Sequence, residues 1–103
     1  MEHKIDQLLD AAMRNWAALS NASPDEAETT ADEFEASFYR FIDAVREWHL
    51  AMHPRPGTLE EMLDMPLIAA IIDRLPAPLY LNFETEVELM IDNVSRVDED
   101  RYD

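Results

Sequence analysis

An all-α fold, a small helical bundle of about five helices, is the architecture that the sequence predicts. Apolar residues recur at steps of three and four along three long segments, which is the period of an amphipathic helix. Capping residues and prolines stand at the starts of several segments. The 103 residues include one glycine, and this scarcity argues against a hairpin-rich β fold.

The first helix is predicted to run from about His3 to Leu19. Its apolar residues fall on one face at helical spacing. They are Ile5, Leu8, Leu9, Ala12, Met13, Trp16 and Leu19. The segment Ser20-Asn21-Ala22 breaks this pattern and separates the first helix from the second.

The second helix carries the clearest start signal. Ser23 is predicted as its N-cap, with Pro24 at the first helical position and Glu26 completing a capping box. The helix is expected to continue to about His53, because the residue before Pro54 disfavours helical backbone. Its length would then be roughly 45 Å at about 1.5 Å per residue. The apolar stripe consists of Ala27, Ala31, Phe34, Phe38, Phe41, Ile42, Val45, Trp48 and Met52.

A short third helix is predicted after a turn at residues 54–57. Thr58 and Glu61 form a second capping box that would begin this helix. Its end is expected at Leu63 or Asp64, where the next start signal begins.

The fourth helix is predicted to begin at Asp64-Met65-Pro66, with the proline just inside it. From Leu67 to Leu75 it has almost no polar face, so it is expected to be buried at the centre of the core. Partial burial by a second subunit is the alternative. The first, second and last helices are expected to pack around it as an antiparallel bundle.

The last helix is predicted to follow a short extended segment, with Asn82 as its N-cap. Apolar residues alternate in that segment: Leu79, Leu81 and Phe83. The apolar stripe of the helix is Phe83, Val87, Met90, Ile91, Val94 and Val97. Residues 98–103 are expected to form a frayed acidic tail, which leaves a single helical domain over residues 1–97.

The chain is strongly acidic, with 23 Asp and Glu against 8 Lys and Arg and a formal net charge of −15. Its hydrophobic content of 48% is nevertheless typical of a folded domain rather than of a disordered acidic chain. The charge argues against direct binding to nucleic acid and to anionic membranes. The absence of cysteine excludes disulfides and thiolate metal sites.

The protein is expected to be cytoplasmic. Residues 1–6 lack the basic start and the uninterrupted apolar segment of a signal peptide, and the longest apolar run, residues 65–72, is too short to span a bilayer. No cofactor and no enzymatic activity are predicted, because no phosphate-binding loop or nucleophile motif is present.

Two regions carry most of the net charge, since residues 23–53 and residues 77–103 each have a net charge of −6. In the second helix, acids recur at steps of three and four, and no Lys or Arg lies between Asp25 and Glu35. The predicted partner-binding residues there are Asp25, Glu28, Asp32, Glu35, Tyr39 and Asp43. The last helix repeats the pattern with Glu84, Glu88 and Asp92, followed by Arg96.

Such a row of carboxylates predicts a basic protein as the partner. The row advances roughly 5–6 Å per helical turn, and phosphates along one DNA strand rise by about 3.4 Å each. A carboxylate row can therefore imitate a nucleic-acid backbone and occupy a basic groove. In composition the chain resembles small acidic inhibitors and immunity proteins, among them phage-encoded DNA mimics. The leading hypothesis is a small acidic protein-interaction module, an inhibitor or adaptor that acts by charge mimicry.

Two other hypotheses remain open. The first is a homodimeric helical bundle of structural or salt-adapted character, in which the charge serves solubility alone. The second is a metal-binding helical protein, because His49 and His53 lie four residues apart and two imidazoles at that spacing can share a metal. No third ligand follows from the spacing.

Overall fold

The structure is a computed structural model that describes residues 2–100 of the chain, with side chains described over residues 3–93. Five α-helices and no strand are found in this range, which confirms the predicted all-α fold and the number of helices. The helices are α1 (Glu2–Ser20), α2 (Ala27–Ala51), α3 (Leu59–Leu63), α4 (Pro66–Arg74) and α5 (Ala77–Asp100).

The chain divides into two compact units, Met1–Val45 and Arg46–Asp103. The first unit contains α1 and most of α2. The second contains the end of α2 together with α3, α4 and α5, and α3 contacts both α4 and α5. The single domain over residues 1–97 and the packing of three helices around the fourth stay predictions.

The buried face of α1 agrees with the predicted stripe. Ile5, Leu9 and Ala12 are fully buried, at steps of four and three residues. The other members of the stripe are half-buried, namely Leu8, Met13, Trp16 and Leu19. The helix therefore buries one narrow face, as its amphipathic sequence requires.

The start of α2 differs from the prediction. Residues 24–26 form a turn, in which the Glu26 N–H donates to the Ser23 carbonyl at 3.0 Å, and the helix begins only at Ala27. The Glu26 carbonyl then accepts two bonds from Thr30, one from its N–H at 2.9 Å and one from its hydroxyl at 2.8 Å. Predicting Ser23 as the N-cap was wrong, because a separate i→i+3 turn precedes the helical ladder.

The end of α2 lies at Ala51, two residues before the predicted end at His53. The Met52 N–H donates to the His49 carbonyl at 3.3 Å, an i→i+3 bond that tightens the last turn. His53 is thus outside the helix, in line with the restriction that Pro54 places on the preceding residue. The helix has 25 residues, so its length is about 37 Å rather than 45 Å.

The predicted cap of α3 is confirmed. The Thr58 hydroxyl accepts a bond from the Glu61 N–H at 3.2 Å. The reciprocal bond differs from a standard capping box, because the Glu61 carboxylate accepts from the Gly57 N–H at 3.2 Å. One threonine and one glutamate therefore hold the turn that precedes α3.

The prediction that α4 is buried on nearly all sides was wrong. A proline stands in its first turn as predicted, but the N-cap is Met65, which contributes no side-chain hydrogen bond. Ile68 and Ile71 are buried, whereas Ala69 and Ala70 are exposed. Exposed apolar residues are common on protein surfaces, so an apolar sequence does not by itself require burial.

The predicted extended segment before the last helix was also wrong, because α5 begins at Ala77. Leu79 and Phe83 are buried while Leu81 is 70% exposed, so the period is four and not two. A proline in the first turn is compatible with this start, since the N–H groups of that turn have no intrahelical acceptor. Asn82, the predicted N-cap, lies within the helix and is exposed.

The far end of α5 continues through Asp100, past position 97 where the frayed tail was predicted to begin. The side chains of Val94 and Val97 lie outside the described residues, as do residues 101–103 of the predicted tail. Between residues 2 and 100, no helix is long and apolar enough to cross a membrane.

Candidate functional site

The exposed face of α2 carries a row of acidic side chains with one tyrosine, which we call the acidic ridge. It consists of Glu28, Asp32, Glu35, Tyr39 and Asp43. Steps of four, three, four and four residues keep all five on one stripe of a helix with about 3.6 residues per turn. All five are exposed. The ridge spans about 22 Å from its first to its last residue, at 1.5 Å per residue.

Asp25 was predicted to be the first member of this row and is not part of it. It lies in the turn before α2 and is exposed there. Because Asp25 lies outside the helix, its spacing of three residues from Glu28 does not place it on the ridge. Contact with a partner stays a prediction for Asp25 and for the five ridge residues alike.

A column of aromatic rings supports the part of α2 that carries the ridge. The ring centroids of Trp16 and Phe34 are 5.2 Å apart, and those of Phe34 and Phe38 are 5.7 Å apart. Phe41 continues the column at 6.1 Å from Phe38. Ring pairs at about 4.5–7 Å attract one another beyond the area that they bury. The column therefore joins α1 to α2 and holds the ridge on a well-packed helix.

A small hydrogen-bond network adds a polar link between the same two helices. The Asn15 Nδ2 donates to the Ser37 Oγ at 2.9 Å and to the Glu33 carbonyl at 3.4 Å. The Ser37 hydroxyl, which is buried, donates in turn to the Phe34 carbonyl at 2.9 Å. Buried polar groups that are paired in this way favour one register of the two helices over others.

Tyr39 is the aromatic member of the ridge, and its side chain is 47% exposed. Its ring meets the ring of Phe38 edge-on, with centroids 5.8 Å apart and an interplanar angle of 78°. One side of the tyrosine is thus anchored on a buried residue while the rest is accessible. Such an aromatic offers contact area to a partner at a low cost in side-chain entropy.

The first unit is negative as a whole, because residues 1–45 contain ten Asp or Glu against three Lys or Arg, a net charge of −7. In the part of the chain that the structure describes, the carboxylates of Glu28, Asp32 and Glu35 make no hydrogen bond or ion pair. Like charges three or four residues apart destabilise a helix by a few tenths of a kcal/mol per pair. The ridge is therefore a local source of destabilisation that a bound cationic surface would relieve.

The second predicted acidic row, on α5, is less uniform than the ridge. Glu84 is half-buried, whereas Glu88 and Asp92 are exposed. Glu88 and Asp92 also line a surface pocket together with residues 57–59. The side chain of Arg96, which follows this row in the sequence, lies outside the described residues.

The two histidines that were considered as a metal pair have different surroundings. His49 is 1% exposed, and its Nε2 donates to the Pro56 carbonyl at 3.1 Å, while its buried Nδ1 has no hydrogen-bond partner. His53 is exposed and lies beyond the end of α2. The two rings therefore lie in different environments, and metal binding by this pair stays a hypothesis. Among the described residues, no group of three or more potential metal ligands is found.

We expect His49→Ala to lower the free energy of unfolding by about 2–4 kcal/mol, because it removes a buried ring and leaves the Pro56 carbonyl without its partner. His53→Ala, the matched control on an exposed residue, should change it by less than about 0.5 kcal/mol. Urea denaturation followed by circular dichroism measures both values. Equal losses for the two variants, or stabilisation of the wild type by zinc that both variants abolish, would contradict this assignment and favour the metal hypothesis.

Sequence reasoning missed the pocket. The pocket combines residues 57–59 with Glu88, Ile91 and Asp92, about thirty positions further along the chain. No pattern among neighbouring residues in the sequence indicates that these two segments line one pocket. The exposure of Leu81 could have been predicted in a helix, because buried residues on one face recur about every four positions. Leu81 lies only two positions from Leu79 and two from Phe83, so it falls on a different face.

Comparison of the chain with family models, with curated proteins and with solved structures finds no match.

Proposed function

We propose that this protein is a small acidic helical interaction module that binds a basic surface of a partner protein through the acidic ridge. The surface in question is one that holds nucleic acid, so the module acts as an inhibitor or adaptor by charge mimicry. The observation that carries the proposal is the continuous exposed row on α2, in which four carboxylates and Tyr39 share one stripe.

The energetics of the free chain support a role for this row beyond solubility. Three of its carboxylates have no partner among the described residues, and their mutual repulsion weakens the helix on which they stand. Solubility alone would be served by the same charges dispersed over the surface. A basic groove that accepts the ridge exchanges this repulsion for several charge pairs, which favours the complex.

Charge and aromatic area have separate roles in the proposed complex. The negative field of the ridge accelerates encounter with a basic partner and orients it. Tyr39, anchored on Phe38, supplies contact area that slows dissociation. We further propose a cytoplasmic location and a non-enzymatic role, in line with the absence of cysteine and of catalytic motifs from the sequence.

The experiment that tests the proposal uses the full chain as bait in lysate of the source cell, with washes of increasing salt. We expect one basic nucleic-acid-binding protein to be retained at low salt and released as the salt rises. Purified partner and module are then mixed with duplex DNA, and the module should displace the DNA from the partner. Retention of no basic protein, or simultaneous binding of DNA and module without competition, would contradict charge mimicry.

The alternative of a salt-adapted homodimer predicts a different response to salt. For an interaction module we expect the melting temperature to rise by a few degrees as sodium chloride screens the repulsion, and then to level off. Most of the rise should occur between about 0.01 M and 0.15 M, where the Debye length falls from about 30 Å to 8 Å. Differential scanning calorimetry measures the curve. A melting temperature that keeps rising steeply into molar salt, for a species that sediments as a dimer, would favour the alternative.

A further inference from the structure

The second unit contains a surface pocket that borders α5. Its volume is about 280 Å³. Sites that enclose a small molecule have volumes of about 300–1,000 Å³, so this pocket is just below the lower end of that range. It is lined by Gly57, Thr58, Leu59, Glu88, Ile91 and Asp92. A pocket of this size suits a single side chain of a partner better than a free metabolite.

The lining of the pocket combines two kinds of chemistry. Ile91 is 8% exposed and Leu59 is half-buried, so they contribute an apolar wall. Glu88 and Asp92 lie four residues apart on α5, and they bring two exposed carboxylates to the same space. Arginine and lysine carry a cationic group on an aliphatic stem. Such a side chain matches both parts of the lining at once.

Exposed leucines extend this surface along α5. Leu81 is 70% exposed and Leu89 is 46% exposed. Leu81, Glu88 and Asp92 are separated by seven and four residues, which places them on one stripe of the helix, and Leu89 lies beside that stripe. We call Leu81, Glu88, Leu89 and Asp92 the α5 strip. It spans about 16 Å, close to three turns of helix.

We propose that the α5 strip docks a basic amphipathic segment of a partner protein, which inserts one arginine or lysine side chain into the pocket and lays apolar side chains on Leu81 and Leu89. The occupant follows from charge complementarity and from the mixed character of the strip. Carboxylates repel nucleic acid and anionic lipid, and two leucines exposed beside them favour an amphipathic protein segment. The inference rests on the proposed function in taking a basic protein as partner, but it uses α5 instead of the acidic ridge.

The first test uses the only glycine of the chain as a reporter. Gly57 lines the pocket, and ¹⁵N-glycine labelling of the full chain gives a single amide signal because the sequence has one glycine. The probe is a synthetic helical peptide of about 14 residues, with arginine and leucine at helical spacing. We expect the Gly57 signal to shift in a saturable manner. A control peptide with glutamine in place of leucine should bind at least about fivefold more weakly.

Three paired variants then separate local docking from long-range attraction. Glu88→Gln with Asp92→Asn should weaken peptide binding at least about tenfold, and Leu81→Ser with Leu89→Ser at least about fivefold. Asp64→Asn with Asp73→Asn removes two negative charges from exposed positions outside both the acidic ridge and the α5 strip, and it should change the affinity by less than about twofold. Isothermal titration calorimetry measures the affinities, and circular dichroism verifies that each variant is folded.

The inference is overturned by an unshifted Gly57 signal, by binding that survives either α5 pair, or by equal weakening in the control with Asp64→Asn and Asp73→Asn. The last result would show that only the overall charge attracts the peptide. These outcomes are independent of the proposed function, which is tested with the captured partner and the acidic ridge. The peptide can fail to bind the α5 strip while the acidic ridge binds its partner, and the reverse result is equally distinguishable.

Discussion

Replacing three residues of the acidic ridge by lysine, as Glu28→Lys, Asp32→Lys and Glu35→Lys, is expected to abolish binding to the basic partner. Each substitution turns an attractive contact of the proposed interface into a repulsive one. Coupling energies of close charge pairs across interfaces are typically above about 1.5 kcal/mol, so three reversals should weaken binding by at least a hundredfold. Isothermal titration calorimetry with the purified partner, at fixed salt, measures the loss.

The fold is expected to survive this triple substitution. The three side chains are exposed, on a stripe beside the buried face of α2, and lysine is as good a helix former as glutamate. The helical circular dichroism signal should therefore persist. If the signal is lost, partner binding is measured instead with the double variant Glu28→Gln and Glu35→Gln, which removes charge without reversing it.

A matched control reverses three exposed acids of α3 and α4 and of the turn between them: Glu60→Lys, Asp64→Lys and Asp73→Lys. The change in net charge is the same, so any effect of overall charge appears equally in both proteins. We expect the control to bind within about fivefold of the wild type. Equal losses in the two triple variants would reduce the interaction to non-specific attraction, and an unchanged affinity in the ridge variant would contradict the proposed function.

Phe41→Ala is expected to cause the largest loss of stability of any single substitution considered. Phe41 is fully buried and its ring contacts that of Phe38, with centroids 6.1 Å apart. Truncating a buried phenylalanine costs about 3–5 kcal/mol, because apolar contacts are lost and a cavity remains. Small domains are stable by about 5–15 kcal/mol in total, so much of the stability should disappear. Urea denaturation with linear extrapolation measures the change.

Tyr39→Ala is the control for this substitution on the same helix. Its ring is half exposed, so its loss should cost no more than about 1 kcal/mol of stability. A small effect of Phe41→Ala, comparable with that of Tyr39→Ala, would contradict the aromatic column as the support of the ridge.

The helices themselves could be predicted from the sequence because their apolar residues repeat at steps of three and four. The cap of α3 was also readable, since Thr58 and Glu61 stand three residues apart and form their bond within one turn. Both signals depend on residues that are close along the chain. Helix boundaries failed where a competing local bond was available, as in the turn between Ser23 and Glu26 that delays the start of α2.

The candidate site was only partly predictable for the same reason. Once α2 forms, helical geometry alone places Glu28, Asp32 and Glu35 on one stripe, so the ridge followed from spacing. The pocket did not, because Gly57 and Glu88 meet only when α3 packs against α5. The spacing of His49 to His53 left open both a metal pair and a packed histidine, and the ring of His49 is buried against the Pro56 carbonyl.

The all-α class, the number of helices and the acidic row on α2 could be predicted from the sequence, because each depends on interactions within a few residues of the chain. The burial of individual apolar residues could not, because it is set by the tertiary packing. The packing exposed Ala69, Ala70 and Leu81 although their sequence context is apolar, and it buried His49. Burial depends on which distant segments pack against a helix, and the pattern within one helix shows which face is apolar without showing what covers it.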